Sequence, residues 1–225
     1  MLKLKRNEKA YQTMKAAGVE LLTVSRRNKK LVPNKDTAFL IWNLPAVITC
    51  PFRTPMCEHF CYARKAETAY PNCMPARMRN FSDSRKADFV ERMTYTILSV
   101  RRGCRSKNLV VRIHESGDFY NAAYTAAWLE IMERCKGERI KFIAYTKSFA
   151  YFDGVQLPSN FSLRASLWDD TPAAAREIVA RNGWNIYTAV PAFKAGDTFT
   201  RCRCNDCATC GKCWANYADI RCEIH

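Results

Sequence analysis

Six cysteines fall within residues 202–225, and five of them lie in Arg201-Cys-Arg-Cys-Asn-Asp-Cys-Ala-Thr-Cys-Gly-Lys-Cys-Trp214. Cys204, Cys207, Cys210 and Cys213 recur every third residue. A short glycine-containing loop of this kind can wrap several thiolates around one iron–sulfur cluster. A structural zinc site more often pairs two Cys-x-x-Cys knuckles across a longer spacer, so zinc is the alternative and the spacing favours a cluster. Disulfides are a third reading. Against them, Met-Leu-Lys-Leu-Lys-Arg6 has no apolar stretch behind it, so no secretory signal is read and a cytoplasmic location is expected.

A second group stands upstream in Thr49-Cys-Pro-Phe-Arg-Thr-Pro-Met-Cys-Glu-His-Phe-Cys-Tyr62, with six and then three residues between Cys50, Cys57 and Cys61. Three thiolates in one loop can hold three irons of a [4Fe–4S] cube and leave the fourth open to a substrate or cofactor. The alternative is a closed zinc site in which these three join one C-terminal cysteine. His59 is either a further donor or an exposed side chain beside Glu58. Cys104 and Cys135, at the ends of helical segments, read as ordinary half-buried thiols. Cys73 is ambiguous, and Cys202, Cys204 and Cys222 compete to accompany Cys207, Cys210 and Cys213.

The elements that must position these loops alternate. Ala38–Ile48, Asn108–Ile113, Arg139–Tyr145, Phe161–Leu167 and Asn185–Val190 read as strands. Ser82–Arg102, Tyr120–Arg134 and a segment opening at Thr171-Pro172 read as helices, with Thr171 as cap and Pro172 at the first position. Alternation of this kind implies a parallel sheet, closed or nearly closed into a barrel, with its site at the carboxyl ends of the strands. Those ends carry the Cys50 loop, Arg112-Ile-His-Glu-Ser-Gly-Asp118, Tyr145-Thr-Lys-Ser148, Ser166-Leu-Trp-Asp-Asp170 and Val190-Pro-Ala192. They bring His114, Glu115, Asp118, Tyr145, Lys147 and Asp169 beside the three-cysteine loop. Asp118 is equally readable as a cap for the next helix, and His114 as a core histidine.

The 225 residues carry a formal net charge of +15, set by 36 Lys+Arg against 21 Asp+Glu. Residues 1–105 hold 21 of these cations and 8 of the anions, a surplus of 13; the remaining 120 residues hold a surplus of 2. Lys3–Arg6, Arg26–Lys30, Arg77–Arg92 and Arg101–Arg105 are the basic clusters, and Tyr11, Tyr70, Phe81, Phe89 and Tyr95 fall among them. Nucleic acid is therefore the expected partner, held through the basic N-terminal half. The apolar run from Ala38 to Thr49 is interrupted by Asn43 and Pro45 and is too short to span a bilayer, so no membrane partner is expected.

The combination Thr-Cys-Pro…Cys…Cys-Tyr-Ala, Ser-Gly-Asp-Phe, Ala-Tyr-Thr-Lys-Ser and Cys-Gly-Lys-Cys-Trp, spread over residues 38–214, resembles the phage and prophage family named gene product 88. More distantly, it is similar to three-Cys-motif proteins regarded as radical-SAM-like. The resemblance implies an α/β fold with a partial TIM-type (β/α) barrel and Cys-rich metal-binding loops. It implies a [4Fe–4S] cluster on Cys50, Cys57 and Cys61, with S-adenosylmethionine as a second cofactor near Phe60, Ser116, Gly117 and Asp118. Cys204, Cys207, Cys210 and Cys213 would hold a second cluster. Two features depart from the radical-SAM pattern: the usual cysteine spacing is three residues and then two, and no clear Gly-Gly-Glu occurs.

The expected organisation is a basic N-terminal arm (1–37), the partial barrel (38–200) and a Cys-rich metal-binding segment (201–225) in one compact domain. The expected function is an iron–sulfur, radical-SAM-like enzyme modifying a base or nucleotide, with Glu115, Asp118 and Lys147 as catalytic candidates and an electron donor as partner. The alternative is a non-catalytic nucleic-acid-binding or regulatory protein with structural zinc or closed clusters.

Overall fold

The computed structural model describes residues 7–190, 192–193, 196, 199–202, 206–215 and 219–223. Among these, seven strands make one sheet: β1 (Thr37–Trp42), β2 (Asn108–Ile113), β3 (Ile140–Thr146), β4 (Phe161–Leu167), β5 (Ile186–Val190), β6 (Thr200–Arg201) and β7 (Ile220–Glu223). Their order is β1-β2-β3-β4-β5-β7-β6, every pair is parallel, and the sheet curls into a half-barrel. Strands buried on both faces read as nearly continuous apolar runs, which is why Phe39-Leu-Ile-Trp42 and Leu109-Val-Val111 show no polar alternation.

The two faces have different cover. Leu40, Trp42, Leu109, Val111, Ile113, Phe142 and Ala144 face α5 (Phe89–Gly103) and α6 (Ala122–Arg134) in the main core. There Trp42, Met93, Ile97, Trp128 and Ile131 are fully buried. Each such side chain contributes about 1.5–3 kcal/mol of transfer free energy. Helix α7 (Ala173–Arg181) covers Ala165, Leu167 and Ile186 on the same side. On the concave face, Phe39, Ile41, Val110 and Ile143 meet Leu31 and the C-terminal Ala208 and Trp214.

The basic arm expected over 1–37 is, over its described part, built into the fold. Helix α1 (Glu8–Ala16) buries Met14, sets Tyr11 5.2 Å from Tyr95, and receives the Arg102 guanidinium 4.2 Å over the Tyr11 ring. Leu22 donates its N–H to Thr96 Oγ1 at 2.9 Å, and Ser25 bridges antiparallel to Ile41, covering the β1 edge. The cluster Lys3–Arg6 lies outside the described residues.

Three element boundaries differ from expectation. β1 stops at Trp42 rather than Ile48. Asn43 Oδ1 accepts from Glu115 N (2.7 Å) and Ser116 N (3.2 Å), and Pro45 has no N–H to continue a ladder. The expected helix Ser82–Arg102 is two: α4 (Cys73–Asp83) ends in a turn, and α5 starts at Phe89. Asp83 holds the junction by accepting from Lys86 Nζ (2.7 Å) and Arg92 Nη1 (3.1 Å). Thr171 does not cap α7; its Oγ1 accepts from Trp168 N at 2.8 Å, and the helix opens two residues later.

Candidate functional site

The loop after β1 delivers Cys50, and two short helices, α2 (Pro55–His59) and α3 (Tyr62–Ala69), carry Cys57 and Cys61 back over the strand ends. Helix α2 starts because Thr54 Oγ1 accepts from Cys57 N (3.3 Å) and Pro55 occupies the first turn, where its missing N–H costs nothing. Asp170, beyond β4, accepts from Met56 N at 2.7 Å and so ties α2 to the sheet. The expected Asp169 is exposed; its neighbour does the anchoring.

Asp118 is buried at the end of the β2 loop. Its Oδ1 accepts from Thr146 Oγ1 (2.6 Å) and Phe119 N (2.8 Å), and its Oδ2 from Lys147 N (2.9 Å). It is not a helix cap: Asn121 caps α6, accepting from Tyr124 N at 2.8 Å. Burial raises the Asp118 pKa, and the three hydrogen bonds oppose that rise. Lys147 is 8 % exposed; its Nζ donates to Ser166 Oγ at 2.7 Å and stands 5.6 Å over the Trp168 ring. Burial lowers its pKa, while the Cys57 thiol, with which it shares a hydrogen bond, and the Asp118 carboxylate oppose that. Cys50 is pushed up to about 12 by burial and by Asp118; Cys57 is raised by burial, with Lys147 acting against the rise. Cys50, Cys57 and Cys61 lie within one another's Coulombic range.

The remaining expected residues are spread around this centre. Phe60, 37 % exposed, stacks on Trp168 at 5.9 Å and 8° and forms an aromatic wall that Ser166-Leu-Trp168 supplied and sequence reasoning missed. Ser116 Oγ is committed to Leu44 O at 2.8 Å. Gly117 has φ +83°, and a Cβ there would stand 2.5 Å from Thr49 Oγ1 and 2.6 Å from Leu44 Cβ. Both residues therefore weld the β1 loop to the β2 loop. Glu115 faces away toward Arg112 Nη1 (3.2 Å) and Asn28, and its carbonyl accepts from Tyr62 Oη. His114 belongs to the core: Nε2 lies 3.0 Å from Tyr124 Oη, Nδ1 is buried without a partner, and burial drives its pKa down to about 3.

The C-terminal cysteines occupy a different place. Helix α8 (Cys207–Cys210) and the turn through Cys213 sit on the concave face, against Tyr145 and Arg112. Tyr145, expected at the mouth, thus points into the C-terminal group. Cys204 lies outside the described residues, as does Pro191 at the fifth strand end. Cys104 is half-buried, as its place after a helix implied, whereas Cys135, expected to be half-buried too, is fully buried. Among the described residues, no three Cys, His, Asp or Glu side chains converge closely enough to hold a single metal ion, and no helix is long and apolar enough to cross a membrane.

Fold and site together define a parallel α/β half-barrel protein with a cysteine-bearing loop folded over the carboxyl ends of its strands. The chain belongs to the gene product 88 family, whose model matches residues 20–216. It is similar to the Gene 88 protein of Mycobacterium phage D29, 29% identical over 191 residues, covering 73% of this chain and 78% of that protein. It is also similar to the Gene 88 protein of Mycobacterium phage L5, 29% identical over 190 residues, covering 73% and 77%. No solved structure matches the chain.

Proposed function

We propose that the chain is an iron–sulfur enzyme acting on nucleic acid, with Cys50, Cys57 and Cys61 as the cluster ligands at the strand mouth. One observation carries the reading: the three-cysteine loop closes over the buried Asp118 and Lys147, so that thiol, ammonium and carboxylate share one water-poor site. Perturbed, buried ionisable groups gathered in this way mark functional sites more often than structural ones. Three thiols from one loop make a soft donor set of the kind that holds iron–sulfur clusters. When bound, a [4Fe–4S] cluster held by three thiolates supplies an electron and one open coordination position.

The chain's own residues do the rest. The Lys147 ammonium offsets thiolate charge at Cys57, and Thr146 and the Lys147 N–H fix the Asp118 carboxylate as an acceptor. Phe60 and Trp168 give a flat apolar wall on which a base or an adenine ring can stack. S-adenosylmethionine, implied by the distant radical-SAM likeness, finds that wall, but Ser116 and Gly117 offer it no free group. On the substrate side, Phe52, Phe60 and Tyr62 are exposed on the cysteine loop and its helices, with Arg64 and Lys65 beside Cys61 and exposed Tyr70 and Arg79 further along the chain at the end of α3 and on α4. Aromatic faces among cations suit the bases and phosphates of a single strand.

The test is iron and acid-labile sulfide content of anaerobically purified protein, compared with the Cys50→Ser/Cys57→Ser/Cys61→Ser variant. The expected difference is about four irons and four sulfides per chain, since one cubane holds four of each. A spectral change on adding S-adenosylmethionine would extend the reading to that cofactor. Zinc without sulfide, or no difference between the two proteins, overturns it.

A further inference from the structure

We infer that Glu115 is a positioning residue rather than a catalytic one, and that it clamps Cys61 at the mouth to the C-terminal thiol segment on the concave face. The clamp is a matter of loop geometry. It stands whichever metal the three-cysteine loop takes and does not rest on the iron–sulfur reading.

A continuous run of hydrogen bonds leads from one thiol group to the other, with Glu115 in the middle. Toward the mouth, the Glu115 carbonyl accepts from Tyr62 Oη, and Tyr62 opens α3 directly after Cys61. The phenol thus reaches from α3 to the β2 loop and fixes where that helix begins. Glu115 N donates to Asn43 Oδ1 at 2.7 Å, which locks the same loop to the end of β1. Toward the concave face, Glu115 Oε1 accepts from Asn28 Nδ2 and from Arg112 Nη1 (3.2 Å). Asn28 Oδ1 in turn accepts from Lys30 N (2.8 Å) and Leu31 N (2.7 Å), a side chain closing its own backbone turn. That turn presents Lys30 O to Cys207 N at 3.0 Å and buries Leu31 beside Ala208 and Trp214. Arg112 runs alongside: its guanidinium stands 5.3 Å over the Tyr145 ring and lines the same cavity as Cys207.

The chemistry of the carboxylate fits a clamp better than a proton carrier. Its side chain is 15 % exposed, and Asn43 Nδ2 adds a long contact of 3.5 Å to Oε2. None of its partners belongs to the Asp118–Lys147 centre. Inside a protein such a network is rigid while its members are satisfied and costly once one is lost. Without the carboxylate, Asn28 Nδ2 and Arg112 Nη1 lose their acceptor, and the buried Arg112 Nε already lacks one. Both ends of the run should therefore loosen when the middle is removed.

The experiment is iodoacetamide labelling of the full chain after chelation and reduction, with the rate at each cysteine read by mass spectrometry. Cys61 and Cys207 report the two ends, half-buried Cys104 is the reference, and fully buried Cys135 reports unfolding. Tyr62→Phe, which deletes only the hydroxyl, should speed Cys61 about 2- to 10-fold, the factor that the net contribution of one hydrogen bond corresponds to, and leave Cys207 unchanged. Glu115→Ala should speed Cys61 and Cys207 together. Glu115→Gln, which removes the same charge but keeps an acceptor for Asn28, should give a smaller rise at both. Equal rises with Gln and Ala would assign the effect to lost charge and overturn the clamp, as would a rise at one end alone in Glu115→Ala. Should Glu115→Ala expose Cys135, the milder variants decide, and no rise at Cys61 in Tyr62→Phe and Glu115→Gln overturns the inference. If chelation alone exposes Cys135, the same variants are compared as purified by their rate of metal loss to a chelator, and unchanged rates overturn it.

Discussion

His114 shows how one residue can be misread when its neighbours are unknown. A histidine at a polar strand end resembles a catalytic base, yet its Nε2 is spent on Tyr124 Oη, which also accepts from Trp42 Nε1 at 3.1 Å. Burial depresses its pKa from 6.5 to about 3, so the unfolded chain binds the extra proton first. Stability is therefore fully present above pH 6.5 and is lost as pH falls from there toward 3, by about 1.4 kcal/mol per pH unit at most. Urea unfolding across that range should show a shallower slope for His114→Asn, which keeps a residue tolerant of the local φ of +67°. An unchanged slope would remove His114 as its source. Gly117 gives a sharper case, because its left-handed φ and the Cβ contacts at 2.5 and 2.6 Å act together. Gly117→Ala should destabilise by roughly 2–4 kcal/mol in the same assay, since the Leu44 backbone has no room to yield.

At the scale of elements, the strands were legible and the loops between them were not. β2 lies where its apolar run put it, because a strand buried on both faces announces itself by composition, and β4 lies where its polar–apolar alternation put it. The three helices between residues 55 and 83 had no such signature, although Thr54-Pro55 carries the same Thr-Pro start signal as Thr171-Pro172. The first pair caps a helix and the second does not, because Thr171 is drawn back to Trp168 N. Only the tertiary neighbour decides. Cysteine spacing located both thiol groups, yet it could not tell that one sits at the mouth and the other on the concave face. The position of α3 and α4 over the mouth rests on Glu67, whose Oε1 accepts from Ala46 N (2.8 Å) and from Arg77 Nη1 (2.7 Å). Both side chains of this pair are under 10% exposed. Arg77→Met leaves that carboxylate buried without its partner and should cost about 3–5 kcal/mol. Replacing both residues, Arg77→Met with Glu67→Gln, should recover part of it in urea titration. Equal losses in the single and double variants would mean that the charge pair is not what holds the helices.

For the whole molecule, the question is how much of the surplus of positive charge reaches a partner. Counting residues overstates it. Arg77 is buried against Glu67, and Arg101, 1 % exposed, spends its guanidinium on Glu138 O (3.0 Å), Ser106 O (3.1 Å) and Lys107 O (2.8 Å). Two members of the basic clusters are thus structural, and Arg92 and Arg102 are engaged with Asp83 and Glu8. What remains exposed on the β1 loop and the helices after it is Arg53 and Arg64, both paired with Glu58, together with Lys65, Arg79 and Arg85, among exposed Phe52, Phe60, Tyr62 and Tyr70. If a single strand tracks this rim, affinity for a short oligonucleotide should fall linearly with log salt, and each lost phosphate contact should reduce the slope by about 0.7. Lys65→Glu/Arg79→Glu should therefore weaken binding about 10- to 100-fold at low salt and flatten the slope by about 1.4. Tyr70→Ala, which leaves the charge alone, should weaken binding without changing the slope, because stacking releases no counterions. Fluorescence anisotropy across a salt series reads both quantities at once. If the charge reversals leave affinity and slope where they were, the rim is only a solvated basic surface.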